Sequence, residues 1–281
     1  MRHTRLATLG VTLLLTMSVA ACGRSDGMAG EEVAADCKPD HEVDTVDSGK
    51  LKVGVTEIPP FSYTEGGSPA GLDYDIVTEF AENNCLQVVA EPVTYAAAVP
   101  SVQSGRIDLT IGDWYRTAER AEIVGLTAPI YTDELSLTSK NGTDSIQGLV
   151  GQSVGTVDGY LWVEDLRALL GDDLHVYPSS AELKQDVEAG RLDVAVDAYG
   201  SALYTFDDSY TVTTVEPDPA VAATQEPAQV TFPYTPDNTG LGEALDAHIA
   251  ELHDSGDLVE ILESYDLPAS AADVGKPRLI S

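Results

Sequence analysis

The chain has 281 residues, 43% of them apolar, with 15 basic side chains against 47 acidic ones and a net charge of −32. That length and apolar content suffice for two domains of ordinary size, each with its own core. The sign of the charge excludes a nucleic-acid binder, which must neutralise phosphates, and keeps a protein soluble and repelled by anionic surfaces.

At the N-terminus, Arg2 and Arg5 form a short positive segment. An apolar run follows from Leu6 to about Val19, and the small residues Ala20 and Ala21 precede Cys22. Residues 1–21 read as a secretory signal, too short and wrongly flanked for a membrane span. Val19-Ala20-Ala21-Cys22 resembles the lipobox of bacterial lipoproteins, in which the Cys is lipidated and becomes the new N-terminus. The resemblance implies an extracytoplasmic protein anchored to the cell membrane through Cys22. Loss of Arg2 and Arg5 leaves 13 basic residues against the same 47 acids, a net −34 for the mature chain. No later stretch approaches the ~20 apolar residues of a spanning helix, so the mature chain is expected to be anchored to the membrane rather than threaded through it. Residues 22–46 are polar with little apolar periodicity and read as a flexible tether. Cys37 and Cys85 lie just before the first and second predicted strands. Export permits a disulfide between them, and neighbouring strands would bring them close; two unrelated thiols are the alternative.

From there strands alternate with helices. Leu51–Val55 is a short apolar strand, and Gly71-Leu72-Asp73 opens a helix with Asp73 as its cap. Leu72, Ile76, Val77 and Phe80 recur at helical spacing. Leu86–Val89 is a strand, Ala96–Ser104 a helix closed by Gly105, and Ile107–Ile111 a strand, after which Thr117 caps a further helix. This is the pattern of a parallel sheet covered by helices. It recurs: strand Gln152–Thr156, helix Tyr160–Leu170, strand Leu174–Tyr177, a helix opened by Ser179-Ser180-Ala181-Glu182 at capping-box spacing, and strand Leu192–Val196. Val230–Phe232 then leads to helices over about Leu241–His253 and Asp257–Tyr265. Pro268 to Ser281 reads as a loose tail.

One repeat ties the halves together. SGRIDLTIGD spans Ser104–Asp113 and AGRLDVAVDA spans Ala189–Ala198. Each ends a helix at Gly, places Arg next and runs a buried strand into an acid. Open α/β sheets bind ligands at the carboxyl ends of their strands, so two facing lobes would bring Asp113 and Asp197 to one cleft. No P-loop, strand-borne GxGxxG, GxSxG elbow or metal-ligand histidine spacing is present. No catalytic residue, cofactor or metal site is therefore expected. The segment from Gly112 to Arg120 is the richest in chemistry. It enters a helix whose N-terminus offers free N–H groups, and Arg120 offers two parallel donors to a carboxylate. On the residues alone, Arg120 serves equally well as a surface partner of Glu119 or Glu122.

KLKVGVTEIPPFSY, GLDYDIVTEFAE, SGRIDLTIGD, TAER, APIY and the terminal SYDLP, in this order, resemble the amino-acid-binding family (family 3) of ABC-transporter extracellular solute-binding proteins. The resemblance covers about Gly49 to Pro268. It implies a type II periplasmic-binding-protein fold: two α/β lobes joined by two hinge strands near Leu135–Thr138 and Val230–Pro233, with a ligand cleft between. Lobe 1 would comprise 47–136 and 233–267, lobe 2 137–232, and the tail 268–281. The resemblance also implies roles. Arg120 would grip the ligand carboxylate, Asp197 the amine and Phe61 the ligand body. The loop from Thr156 through Asp158 to Gly159 would supply N–H groups. Where the family usually has a small residue and Thr before TxxR, this chain has Asp113, Trp114 and Tyr115. Asp158, Tyr160 and Trp162 make the second-lobe loop acidic and aromatic, and Glu57 precedes Pro59-Pro60-Phe61. Aromatic faces with carboxylates suit a cation. The expectation is a ligand with positive charge beyond an α-amine: a basic amino acid, an amine or a betaine-like solute. The alternative is that the rings pack within the lobes and the acids reflect a generally acidic chain. The expected partners are this small molecule and a membrane ABC permease; the protein itself is expected to be a monomer. A lyase of cyclohexadienyl-dehydratase type, which shares the fold, and a ligand sensor for a membrane kinase are the rival readings.

Overall fold

A computed structural model of the chain describes residues 28–30, 33–34 and 36–280. The expected signal sequence and the lipobox with Cys22 lie outside them. Strand β1 (Lys50–Val55) buries Leu51 and Val53 to Val55, as a central parallel strand does. Helix α1 (Leu72–Asn83) lays Leu72, Ile76, Val77 and Phe80 against the sheet. Strand β2 (Gln87–Pro92), helix α2 (Tyr95–Gln103) and strand β3 (Leu109–Ile111) complete a parallel β2-β1-β3 unit.

Asp73 does not cap α1. The first N–H groups of the helix go to backbone carbonyls of the preceding loop, Leu72 to Pro60 at 2.9 Å and Asp73 to Phe61 at 2.8 Å. Gly71 permits this approach with φ 119°, where a Cβ would stand 2.4 Å from the Phe61 oxygen. The Asp73 carboxylate is thereby released to face the interior.

After β3 come β4 (Trp114–Tyr115), the single turn α3 (Ala118–Ala121) and β5 (Thr132–Asp133). The second sheet begins with β6 (Leu135–Ser139) and continues with β7 (Val154–Val157), α4 (Val163–Leu170), β8 (Leu174–Tyr177), α5 (Ser180–Glu188), β9 (Val194–Ala198), α6 (Tyr199–Thr205) and β10 (Thr211–Thr214). Its order is β8-β7-β9-β6-β10, with β7 parallel to both β8 and β9 and with β6 antiparallel to β9 and β10. Leu135 and Ser136 already pair with Ala198 and Asp197, so the second sheet starts two residues before the boundary expected at 137. The chain returns through β11 (Ala228–Thr231), which pairs antiparallel with β4 and β5 and so joins the two crossings. Strand β12 (Pro233–Tyr234) re-enters the first sheet, and α7 (Thr239–Ser255) and α8 (Asp257–Ser264) cover it. Two α/β lobes linked by paired crossing strands form a type II periplasmic-binding-protein fold.

The repeat has a physical basis. Asp108 accepts the N–H of Lys52 at 2.8 Å, and the matching Asp193 accepts that of Ser153 at 2.9 Å. In each lobe an acid at the foot of one strand pins the entry of its parallel neighbour.

Two terminal expectations need correction. The tether does not extend to 46, because Cys37 is bonded to Cys85 with their Cα atoms 5.8 Å apart. The following residues also hydrogen-bond the first lobe, through Asp40 to Asn83, His41 to Asn84 and Val46 to Asp108. The C-terminal segment is not a loose tail either. The buried side chain of Gln229 donates to the carbonyls of Val274 and Lys276 and accepts from the Arg278 N–H. Ile280 exchanges backbone bonds with Arg116 and Ala118. The segment's polarity misled the sequence reading, since polar backbone is what a crossing strand with free hydrogen-bonding groups can hold.

Candidate functional site

The site is assembled around Asp73. Its Oδ2 accepts the N–H groups of Gly112 (2.8 Å) and Asp113 (3.0 Å), and its Oδ1 accepts the hydroxyl of Tyr131 (2.8 Å). This bends the chain sharply after β3, with Gly112 at φ 124° and Asp113 at φ 56°. Only glycine fits at 112, where a Cβ would lie 1.8 Å from the Thr56 Oγ1. The bend turns the Asp113 side chain into the protein, where it is buried.

Trp114 and Tyr115, on β4, are also buried. Tyr95, at the start of α2, stacks on Trp114 with centroids 3.8 Å apart. The Thr117 Oγ1 caps α3 by accepting the Arg120 N–H at 3.1 Å. Arg120 donates from Nη1 to the Tyr115 carbonyl at 2.7 Å and lays its guanidinium 4.8 Å from the Trp114 ring. None of the ion pairs among the described residues involves Arg120. The alternative of a surface pair with Glu119 or Glu122 is not what the fold adopts.

Across the cleft, Asp197 is the penultimate residue of β9. Its Oδ1 accepts the Tyr160 hydroxyl (3.0 Å) and the Ala198 N–H (2.8 Å). Tyr160 stands edge-on to Tyr95 at 5.0 Å, and Trp162 lies 6.0 Å from Tyr115, so aromatic contacts join the lobes. Thr156 acts as a strut: its Oγ1 accepts Trp162 Nε1 at 2.8 Å and donates to the Val196 carbonyl at 2.9 Å. On β5, the Asp133 Oδ1 accepts the N–H groups of Glu134 (2.8 Å) and Gly200 (3.4 Å).

Three carboxylates thus converge, each with an oxygen that has no partner: Asp113 Oδ1, Asp133 Oδ2 and Asp197 Oδ2. Burial pushes Asp197 up to about 6 and Asp133 up to about 7. Asp113 is driven well above the usual carboxylate range, first by burial and then by the charge of Asp133 and Asp73. The charge of Asp133 opposes ionisation of Asp113, so the two buried carboxyls titrate as an interacting pair. Trp114 Nε1 and the Tyr115 hydroxyl are likewise buried without partners. The space among Tyr95, Asp113, Tyr115, Arg120, Tyr160 and Trp162 is about 10 Å³, room for one water at most. Among the described residues no cluster of His, Cys, Asp or Glu is arranged to hold a metal ion.

Not every expected site residue reaches this cleft. Glu57 is exposed and accepts from the N–H (3.3 Å) and hydroxyl (2.6 Å) of Thr64; solvation holds it on the rim. Asp158 is exposed, and its N–H donates to the Tyr177 carbonyl at 2.8 Å. Phe61 is buried, but it stacks on Tyr131 (5.5 Å, 7° between planes) and lines a separate cavity. Conversely, the sequence reading passed over Asp133 and Tyr95. The acid pair in APIYTDEL, just ahead of a buried strand, is the one signal that pointed to Asp133.

Residues 51–267 match the family model of bacterial extracellular solute-binding proteins, family 3. A probable amino-acid-binding protein of Bacillus subtilis is 24% identical over 267 residues, covering 92% of this chain and 94% of that protein. A probable histidine-binding protein of Campylobacter jejuni is 28% identical over 123 residues, 42% of this chain and 48% of that protein. Among solved structures, the substrate-binding protein of an amino acid ABC transporter superposes with a TM-score of 0.69 at 20% identity, over 77% of this chain and 99% of that one. An ancestral arginine-binding protein bound to arginine superposes with a TM-score of 0.68 at 23% identity, over 77% of this chain and 98% of that one.

Proposed function

The chain belongs to the bacterial extracellular solute-binding proteins, family 3, and we propose that it captures a cationic amino acid between its lobes for an ABC importer. The observation that carries this is the convergence of three buried carboxylates, each with a free oxygen, inside a box of aromatic rings. Unpaired buried carboxylates are costly, and a cation seated among them removes the cost. In this reading Asp197 takes the α-ammonium, the Asp113–Asp133 pair takes the side-chain cation, and Arg120 takes the carboxylate. The neighbour bound to arginine and the histidine-binding relative support the ligand class.

The cleft volume of about 10 Å³ admits no amino acid, so the ligand enters with the lobes parted and holds them together around itself at a wider spacing than in the empty protein. The closed form then docks on the permease. Lipidation at Cys22 would keep the monomer at the membrane surface; no helix among the described residues is long and apolar enough to cross a membrane.

Thermal stabilisation by a panel of amino acids, polyamines and betaines tests the reading. Arginine, lysine or histidine is expected to raise the melting temperature most, since ligand at ~100 times its Kd stabilises by ~2.7 kcal/mol. Arg120→Ala should abolish the shift without unfolding the protein. A larger shift with glutamate or leucine would overturn the cationic assignment. The Asp113–Asp133 pair also has the chemistry of a general acid and base, which favours a lyase as second reading; turnover of prephenate or arogenate distinguishes it.

A further inference from the structure

The C-terminal segment lies beyond the family match, which ends at 267. It leaves α8, turns at Ala269–Ala272, bonds Thr132 through the Ala271 carbonyl and then runs along β11 to Arg116. In arching over the crossing strands it roofs a cavity of about 570 Å³. That volume lies in the range of small-molecule sites.

The walls have a definite chemistry. Phe61 and Tyr131 from the first lobe, stacked on each other and buried, form its floor, and the half-buried Tyr199 from the second supplies accessible aromatic surface. Glu134 and Asp273 line the cavity, and neither carboxylate has an ion-pair or hydrogen-bond partner among the described residues. Arg278 is the one basic residue of the lining, and it is already engaged by Glu226 at 2.9 Å and by the carbonyls of Pro227 and Val274. Aromatic faces beside free carboxylates recognise an ammonium group attached to an apolar body.

We propose that this cavity is a second binding site, separate from the interlobe cleft, for a small organic cation with an apolar body. Its occupant touches both lobes, both crossings and the C-terminal segment at once. Asp133 stands between the two spaces: it lines the cavity, and its charge bears on Asp113 of the cleft.

The test is a calorimetric titration of benzyltrimethylammonium into the folded protein. It needs no amino acid, so its failure leaves the cleft reading untouched. Saturable binding is expected, weakened at least about fivefold by the double variant Glu134→Gln/Asp273→Asn and lost with Ser270→Trp, which fills the cavity from the exposed segment. Arg120→Ala, in the cleft, should leave it unchanged. Thermal melts show whether each variant folds; if Ser270→Trp does not, the double variant, which keeps both side-chain shapes, decides alone. No saturable binding overturns the proposal. So does binding that ignores the cavity variants or responds to Arg120→Ala, because the probe is then in the cleft.

Discussion

Asp197→Asn should make the protein more stable and unable to bind. Burial raises the Asp197 carboxyl from 3.8 to about 6, even though its Oδ1 accepts two hydrogen bonds. Two units correspond to roughly 3 kcal/mol, comparable with burying one large aliphatic side chain. The folded state holds the proton more tightly than the unfolded state, so stability falls as pH rises from about 4 to about 6 and stays reduced above that. Asparagine keeps the shape and the Oδ1 acceptor but removes the charge. At pH 8 the variant should gain about 2–3 kcal/mol, or roughly 5–10 °C in Tm for a chain of this size. At pH 4 the gain should vanish, because the native carboxyl is then protonated. Calorimetry of both proteins at the two pH values reads the difference directly. An equal loss of stability at both would refute the reasoning, for Asp197 would then be a structural acceptor rather than a buried charge waiting for a cation. Together with lost binding, the expected gain is the usual mark of a site whose chemistry is kept at the expense of stability.

Protons and a cationic ligand compete for the same carboxylates, so affinity for a basic amino acid should fall between pH 8 and pH 5, by up to about tenfold per pH unit for each proton displaced. Titrations in two buffers of different ionisation enthalpy should register proton release from the groups near 6 and 7; buffer-independent heats would count against it. Replacing Cys37 and Cys85 by Ser opens a loop of sequence separation 48, which the chain-entropy estimate values at about 4 kcal/mol. A loss below about 1 kcal/mol in chemical denaturation would mean that the hydrogen bonds of Asp40, His41 and Val46 hold this segment unaided. Gly112→Ala drives a Cβ towards the Thr56 hydroxyl at a backbone angle that side chains avoid. It should cost at least about 2 kcal/mol, and an unchanged Tm would show that the bend pinned by Asp73 is not needed.

Local signals carried the secondary structure. Strand β8 runs from Leu174 to Tyr177 as its apolar run predicts, and Ser179 and Thr117 cap the helices they precede. These features depend on neighbours within one turn or one strand, which sequence displays directly. The family motifs then supplied the two-lobe arrangement, and the repeat pointed to Asp113 and Asp197. The inward path of Asp113 did not follow from its own segment, because Asp73, forty residues earlier, bends that loop. Glu57 and Asp133 are both acids beside turns, yet the first is solvated and the second buried with one oxygen unpartnered. The C-terminal segment is polar like the N-terminal tether, but it meets Gln229, whose amide offers it three hydrogen bonds. Residue type and spacing therefore determined which elements form and which side chains have the chemistry to bind. Which carboxylates lose water was decided only by tertiary structure, because desolvation depends on surfaces brought together from distant parts of the chain.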